Sequence, residues 1–209
     1  MVECNQRTNE RIFVNVVESQ RTTQQAILDT AFSLMQRCGY HAFSYADIAA
    51  QVGIRKASIH YYFPGKNDLI RTVVADYRTT ARAGLEHLQR VIAEPAQQLA
   101  AYIAYFGEEV EGQPRICLCA LLAAEMLTLP DDVRAEVQGY YQEHEAWLTK
   151  VLEAGQQAGS LHFNGAASVA AQTLLAGLEG AMLAARAYGQ SERFRVIGAN
   201  LLQHYLVGS

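Results

Sequence analysis

Residues 44–69 read SYADIAAQVGIRKASIHYYFPGKNDL. The pattern predicts two short helices joined by a glycine turn. The first carries apolar Ile48, Ala49 and Val52 and opens on Ser44, with Asp47 three residues on as a capping box. Gly53 supplies the turn, and Ile54 plugs the core just after it. The second helix gathers Arg55, Lys56, Ser58, His60, Tyr61 and Tyr62 within one short span. This is a helix-turn-helix, in which one helix crosses the DNA backbone and the next offers its N-terminal side chains to base edges in the major groove.

Upstream, Thr22 and Gln25 predict a capping box for a helix with Ile27, Leu28, Ala31, Phe32, Leu34, Met35 and Cys38 at helical spacing, ended by Gly39. That helix completes a three-helix unit sealed by Tyr40 and Phe43. Downstream of Pro64-Gly65, Leu69, Val73, Tyr77, Ala81, Leu85 and Leu88 line one face of a long helix over 66–92, a lever that leads to Pro95. Further helices are expected at about 95–111, 115–128, 131–158, 165–188 and 191–206. The fold class is therefore all-α. The chain divides into an N-terminal arm (1–20), a helix-turn-helix DNA-binding domain (21–66), and a ligand-binding and dimerisation domain (67–209) entered through the long helix.

The chain of 209 residues has a formal net charge of −4, an odd value for a DNA binder until it is split. Residues 1–90 hold 11 Lys and Arg against 8 Asp and Glu, a net +3, and the remainder is −7. Positive charge collects where phosphates need neutralising. No run of 18 apolar residues free of charge is present, so no membrane span is expected. The first 20 residues lack an apolar signal core. Four cysteines make no disulfide scaffold at this length, and a reducing cytoplasm is the expected location.

Residues 22–69 resemble the DNA-binding domain of TetR/AcrR-type transcriptional regulators. The resemblance rests on Ile27-Leu28 and Ala31, Gly39-Tyr40, Asp47-Ile48-Ala49, Val52-Gly53-Ile54, Lys56-Ala57-Ser58-Ile59, Phe63, Lys66 and Leu69. Its spacing holds across three helices and two turns. It implies a length near 200, an all-helical ligand-binding core and a two-fold dimer. His60 departs from the family, which often has Tyr there.

Lys56, Ser58 and His60 are the candidates for base edges or the flanking backbone, with Ala57 suited to a thymine methyl. Ser44, Tyr45, Tyr62 and Lys66 are candidates for phosphates, and Arg55 lies at the turn. Tyr61 and Phe63 are expected in the core. One three-helix unit covers only about 600–1,000 Å² of DNA, so a dimer reading a palindromic operator is expected. Small and apolar residues over 165–206 mark the dimer contact.

The effector core is expected around Tyr102, Tyr105, Phe106, Cys119, Met126, Tyr141, His144, Trp147, Leu178 and Met182, aromatic-rich and carrying polar handles. The effector is a small molecule of unidentified class. Glu108, Glu109, Glu111 and Glu125 are weighed as cation partners against a solvated face. Cys117 and Cys119 form C-x-C on a predicted helix, where residues two apart point about 200° from each other and do not pair easily. Small core cysteines are one reading, and a redox- or electrophile-sensing cysteine (Cys117 or Cys119) is the alternative. Cys38 is expected in the core and Cys4 in the arm. No metal or cofactor is expected, because no ligand spacing for one appears. Catalysis is rejected: no Ser-His-Asp order or phosphate-cradling glycine loop is present, and the six histidines are scattered. A nucleoid-type protein without ligand control remains as a rival, distinguished by weak sequence preference.

Overall fold

The computed structural model describes residues 22–110 and 116–207. The expected arm and Glu111 lie outside them, as do the side chains of Glu108 and Glu109. The described residues form nine α-helices: α1 (Thr23–Cys38), α2 (Tyr45–Val52), α3 (Lys56–Tyr62), α4 (Lys66–Val91), α5 (Pro95–Val110), α6 (Leu118–Ala124), α7 (Asp131–Ala158), α8 (Ala167–Tyr188) and α9 (Glu192–Gln203). A 3₁₀ turn at Met126–Thr128 follows α6. No strand forms among the described residues beyond one bridge between Leu161 and Leu206.

Helices α1–α3 make a small head. Thr22 Oγ1 accepts the Gln25 amide at 3.2 Å. The reciprocal arm of the expected box is not made, because Gln25 Nε2 donates to Asp29 instead. At α2 the box is complete: Ser44 Oγ accepts the Ala46 amide, and Asp47 Oδ2 accepts the Ser44 amide at 2.7 Å. Gly53 closes α2 at φ 76°, ψ 30°, a left-handed conformation that costs glycine little. Ile27, Met35, Ile48 and Ile59 are fully buried and tie the three helices together. Each such side chain contributes about 1.5–3 kcal/mol.

Helices α4–α9 form the body. α7 packs on α4 and α8, α9 on α8 and α5. Arg78 on α4 reaches α7, with Nη2 on Glu143 at 2.6 Å and Nη1 on Glu136 at 3.1 Å. The long helix is thus fastened to the body by a half-buried ion triad as well as by apolar contact.

Three expectations are corrected. The helix expected at 115–128 is shorter: Cys117 precedes α6 with a non-helical backbone (φ −42°, ψ 125°), and Glu125 ends it. Cys38 lies at the exposed end of α1, its thiol donating to the Leu34 carbonyl. α8 is not buried all round, since Val169, Leu183 and Tyr188 are exposed, as are Ala176 and Gly180. By length and composition α8 is also apolar enough to cross a membrane, though not free of charge. Glu179 and Arg186 interrupt it, and half of it is packed inside the body.

Candidate nucleic-acid interface and effector core

The face of α3 is set by its two anchors. Ile59 and Phe63 are buried four residues apart, so the residues between them point outward. Arg55, Lys56, Ala57, His60, Tyr61 and Tyr62 are exposed and Ser58 is half-buried. Arg55 caps the helix with no side-chain bond of its own. His60 Nδ1 lies 3.2 Å from the Pro64 carbonyl, which can only accept, so Nδ1 carries the proton. The His60 ring rests edge-on against Tyr45, with centroids 4.9 Å apart. Ser44 is exposed at the start of α2, with its hydroxyl engaged by Asp47.

Two phosphate candidates are spent on the head itself. Tyr45 is buried, and its hydroxyl donates to the Phe63 carbonyl at 3.0 Å. Burial, then the Asp68 charge, pushes that phenol up to about 12. Lys66 Nζ donates to the Tyr40 and Phe43 carbonyls, both at 2.6 Å, and stands over the Phe43 ring at 4.2 Å. Burial depresses its ammonium. Lys66 staples the α1–α2 turn to the start of α4. Lys66→Met is therefore expected to cost about 1–3 kcal/mol of stability. It should leave the slope of log affinity against log salt unchanged, whereas each lost phosphate contact would lower that slope by about 0.9. Thermal melts and salt titrations of DNA binding check both halves.

Tyr61, expected in the core, is 83% exposed and stacks edge-on with Tyr62, centroids 5.1 Å apart. Its place two residues after Ile59 is the signal that could have found it. With Lys56 it forms the most prominent part of the reading face.

Head and body meet at a polar seam that the sequence did not show. Glu125 accepts the Tyr40 amide at 3.1 and 3.3 Å. It lies so close to Gly39, at φ 79°, that any Cβ there would collide with it. Arg186 on α8 donates to the Gln36 and Arg37 carbonyls at the end of α1. His41 meets Thr128 at 2.9 Å.

Inside the body the aromatic residues converge. Tyr102 Oη lies 2.8 Å from His144 Nδ1, and its ring stacks on Trp147 and meets Phe106 edge-on. Tyr140 stacks on Tyr77 and lies 4.0 Å from the His144 ring. Tyr102, Phe106, Cys119, His144, Trp147, Leu178 and Met182 are all buried. Tyr141 is half-buried, and its hydroxyl donates to Glu179 Oε2 at 2.7 Å. Two candidates stand apart. Tyr105 is nearly half exposed on the outer side of α5, and Met126 belongs to the turn after α6. Three buried polar atoms have no partner here: His144 Nε2, Trp147 Nε1 and Glu179 Oε1. Such atoms are costly unless something fills the bond. Burial lowers His144 to about 4 and raises Glu179 to about 7. Among the candidate carboxylates, Glu125 belongs to the seam. The one facing the aromatics is Glu179, overlooked because a single Glu in an alanine-rich helix reads as surface.

A cavity of about 130 Å³ reaches Trp147 between Gln89, Gln98 and Lys150. A larger groove, about 460 Å³, runs between α5 and α9 past Ile103, Gly107, Phe194 and Leu202, away from the aromatic cluster.

Residues 27–73 match the family of bacterial regulatory proteins of the tetR type, and residues 95–199 match the tetracyclin repressor-like C-terminal domain. The chain is a TetR-family transcriptional regulator. A TetR-family regulator from Agrobacterium tumefaciens shares 41% identity with it at a TM-score of 0.86, over 88% of this chain and 98% of that one. The transcriptional repressor DhaR of Mycobacterium sp. (strain GP1) is 25% identical over 164 residues, 77% of this chain and 80% of its own. The fold is shared with the regulator FadR from Bacillus subtilis in complex with stearoyl-CoA, at 18% identity and a TM-score of 0.71, over 88% of this chain and 98% of that one. Members of this family are DNA-binding regulators rather than enzymes, and they act as dimers.

Proposed function

We propose that this regulator is a cytoplasmic repressor, held on a palindromic operator as a homodimer and released by a small molecule taken into the aromatic core. The observation that carries the reading is the α3 face: Lys56, Ala57, His60 and Tyr61 stand clear of the head while Ile59 and Phe63 hold the helix in place. Arg55, Ser58, Tyr62 and Ser44 flank that face; Tyr45 and Lys66 support it from within. The exposed stripe of α8 (Ala176, Gly180, Leu183) with Val196 of α9 supports dimer contact within residues 165–206. Small side chains there let two helix pairs approach closely. The organisation proposed is the arm, the DNA-binding head and the effector body in the order given above.

Release needs an effector that prefers one arrangement of the heads over another. The unpaired Trp147 and His144 nitrogens and the Glu179 oxygen support an effector with hydrogen-bonding groups and an amine or other cation. FadR with stearoyl-CoA is a precedent for a ligand in this fold. Operator DNA selected from a random library by the purified dimer tests the first half. A selected palindrome bound far more tightly than random DNA supports a regulator, and no selection refutes it. Screening amines for release of that DNA tests the second.

A second reading, a regulator responding to redox state or electrophiles through Cys117 or Cys119, is favoured by one observation. Cys117 lies just outside α6, its sulfur 3.3 Å from the Tyr140 hydroxyl, so the helical spacing that would part the two thiols does not apply to it.

A further inference from the structure

We propose that Arg186 and Glu125 are positioning residues for operator recognition: each clamps the end of α1 to the body, and together they set the half-site spacing that the dimer accepts. The inference rests on the DNA-binding dimer proposed above and assigns the residues that fix its geometry.

The first turns of α4 belong mechanically to the head. Phe32 of α1 lies against Tyr77 of α4, ring centroids 5.9 Å apart, and Lys66 holds the Tyr40 and Phe43 carbonyls. Helices α6 and α8 grip this unit at the end of α1. The last carbonyls of a helix have no partner inside it. Gly39 takes that of Met35. Arg186 takes the next two, with Nη1 3.2 Å from the Gln36 oxygen and Nη2 3.1 Å from that of Arg37. Its planar fork suits adjacent acceptors, and its charge suits the negative end of the helix. Just beyond, both Glu125 oxygens accept the Tyr40 amide. Tyr40 is thus held by α6 through its N–H and by α4 through its carbonyl. The approach depends on Gly39, where a Cβ would collide with Glu125 Oε1.

Arg186 also stands where the two copies would meet. It lies three residues after Leu183, which is 47% exposed on the proposed dimer stripe of α8, and residues three apart on a helix are neighbours. The path from the two-fold contact to the head is therefore one helical turn and one side chain. The other route runs from α8 through α7 to Arg78, then back along α4 for about 18 Å to Lys66.

Spacing follows from these clamps. One base pair more or less between half-sites moves them by about 3.4 Å and turns them by about 35°. Shared between two heads, that is still about 1.7 Å each. Hydrogen bonds weaken steeply with distance and angle, whereas apolar surfaces slide. Binding a mis-spaced operator therefore opens the clamps, and the most a clamp can penalise such DNA is its own strength. For a hydrogen bond to a charged group that is about 10- to 150-fold in affinity.

The test uses the full-length protein, the palindrome it selects from random DNA, and versions of that palindrome with one base pair added or removed at the centre. The readout is the ratio of affinities for the selected and mis-spaced DNA, which a partly unfolded sample does not change. Arg186→Met and Glu125→Ala should each lower the ratio by about 10- to 150-fold and leave affinity for a single half-site unchanged. Arg186→Lys, with one ammonium for two carbonyls, should fall between parent and Arg186→Met. A nitroxide side chain in place of exposed Tyr61 gives a second measurement without DNA: one narrow distance between the two heads in the parent, a broad one in Arg186→Met. The proposal is overturned if the ratio is unchanged in both variants, if all DNAs lose affinity equally, or if the distance stays narrow. A labelled parent that shows no distance is no dimer, and the proposal falls with it. A labelled dimer that selects no DNA would refute the regulator reading instead, and the distances would still decide the clamps.

Discussion

Replacing Lys56 with alanine is expected to weaken operator binding by about 2–6 kcal/mol. A well-placed side chain on a base edge is worth about 1–3 kcal/mol of discrimination, and a dimer loses it twice, once in each half-site. The expected change is about 30-fold to more than 10⁴-fold in Kd. Lys56 is exposed at the first turn of α3, the part of a recognition helix that reaches base edges. The backbone of α3 should not change, because Ile59 and Phe63 hold it and neither touches solvent appreciably. Titration against operator and random DNA at several salt concentrations separates two roles. A base contact loses affinity mainly on the operator and relaxes preference at one position of each half-site. An equal loss on random DNA, with a shallower salt slope, would make Lys56 a phosphate contact.

Much of this was legible in the sequence because the head is built from local rules. Ser44, Asp47 and Gly53 each act within a few residues, and capping and a left-handed turn leave fixed residue types at fixed spacing. The long helices were legible from periodicity. The failures came from side chains whose partners lie far along the chain. Tyr45 reads as a surface phenol until Phe63 is folded against it, 18 residues away. Lys66 reads as a phosphate ligand until the Tyr40 and Phe43 carbonyls come within reach. Glu125 looks solvated until the end of α1 arrives, 85 residues away in sequence. The C-x-C pair was misread for a different reason. A helix expected from about residue 115 put both cysteines on one helical wheel, whereas α6 begins at Leu118 and leaves Cys117 outside it.

Glu179→Gln is expected to stabilise the protein by about 3 kcal/mol at pH 8 and to change little at pH 4.5. Burial lifts the Glu179 carboxyl to about 7, whereas in the unfolded chain it ionises at about 4.3. Between those values the native state holds a proton that the unfolded state has released, so stability falls as pH rises through the window. A shift of this size amounts to about 3 kcal/mol at 1.36 kcal/mol per unit. Glutamine removes the charge and keeps an amide oxygen for the Tyr141 hydroxyl, 2.7 Å away in the native protein. His144 works in the opposite direction. Burial lowers it to about 4, so its stability contribution is lost as pH falls from about 6.5, where the unfolded ring takes up its proton. In the native protein the two trends oppose each other from about pH 4.5 to 6.5, and the pH profile is nearly flat there. Glu179→Gln unmasks the histidine, so its stability should climb steadily over that span. Urea unfolding at pH 4.5, 6 and 8, at one protomer concentration because the dimer is linked to folding, measures all three points. A variant less stable than the parent at pH 8 would mean that the native carboxylate already has a cation, and the core would then be closed to a cationic effector. A variant gaining stability only at high pH leaves Glu179 as a charge without a counter-ion among tyrosines, the electrostatic vacancy that an amine effector would fill.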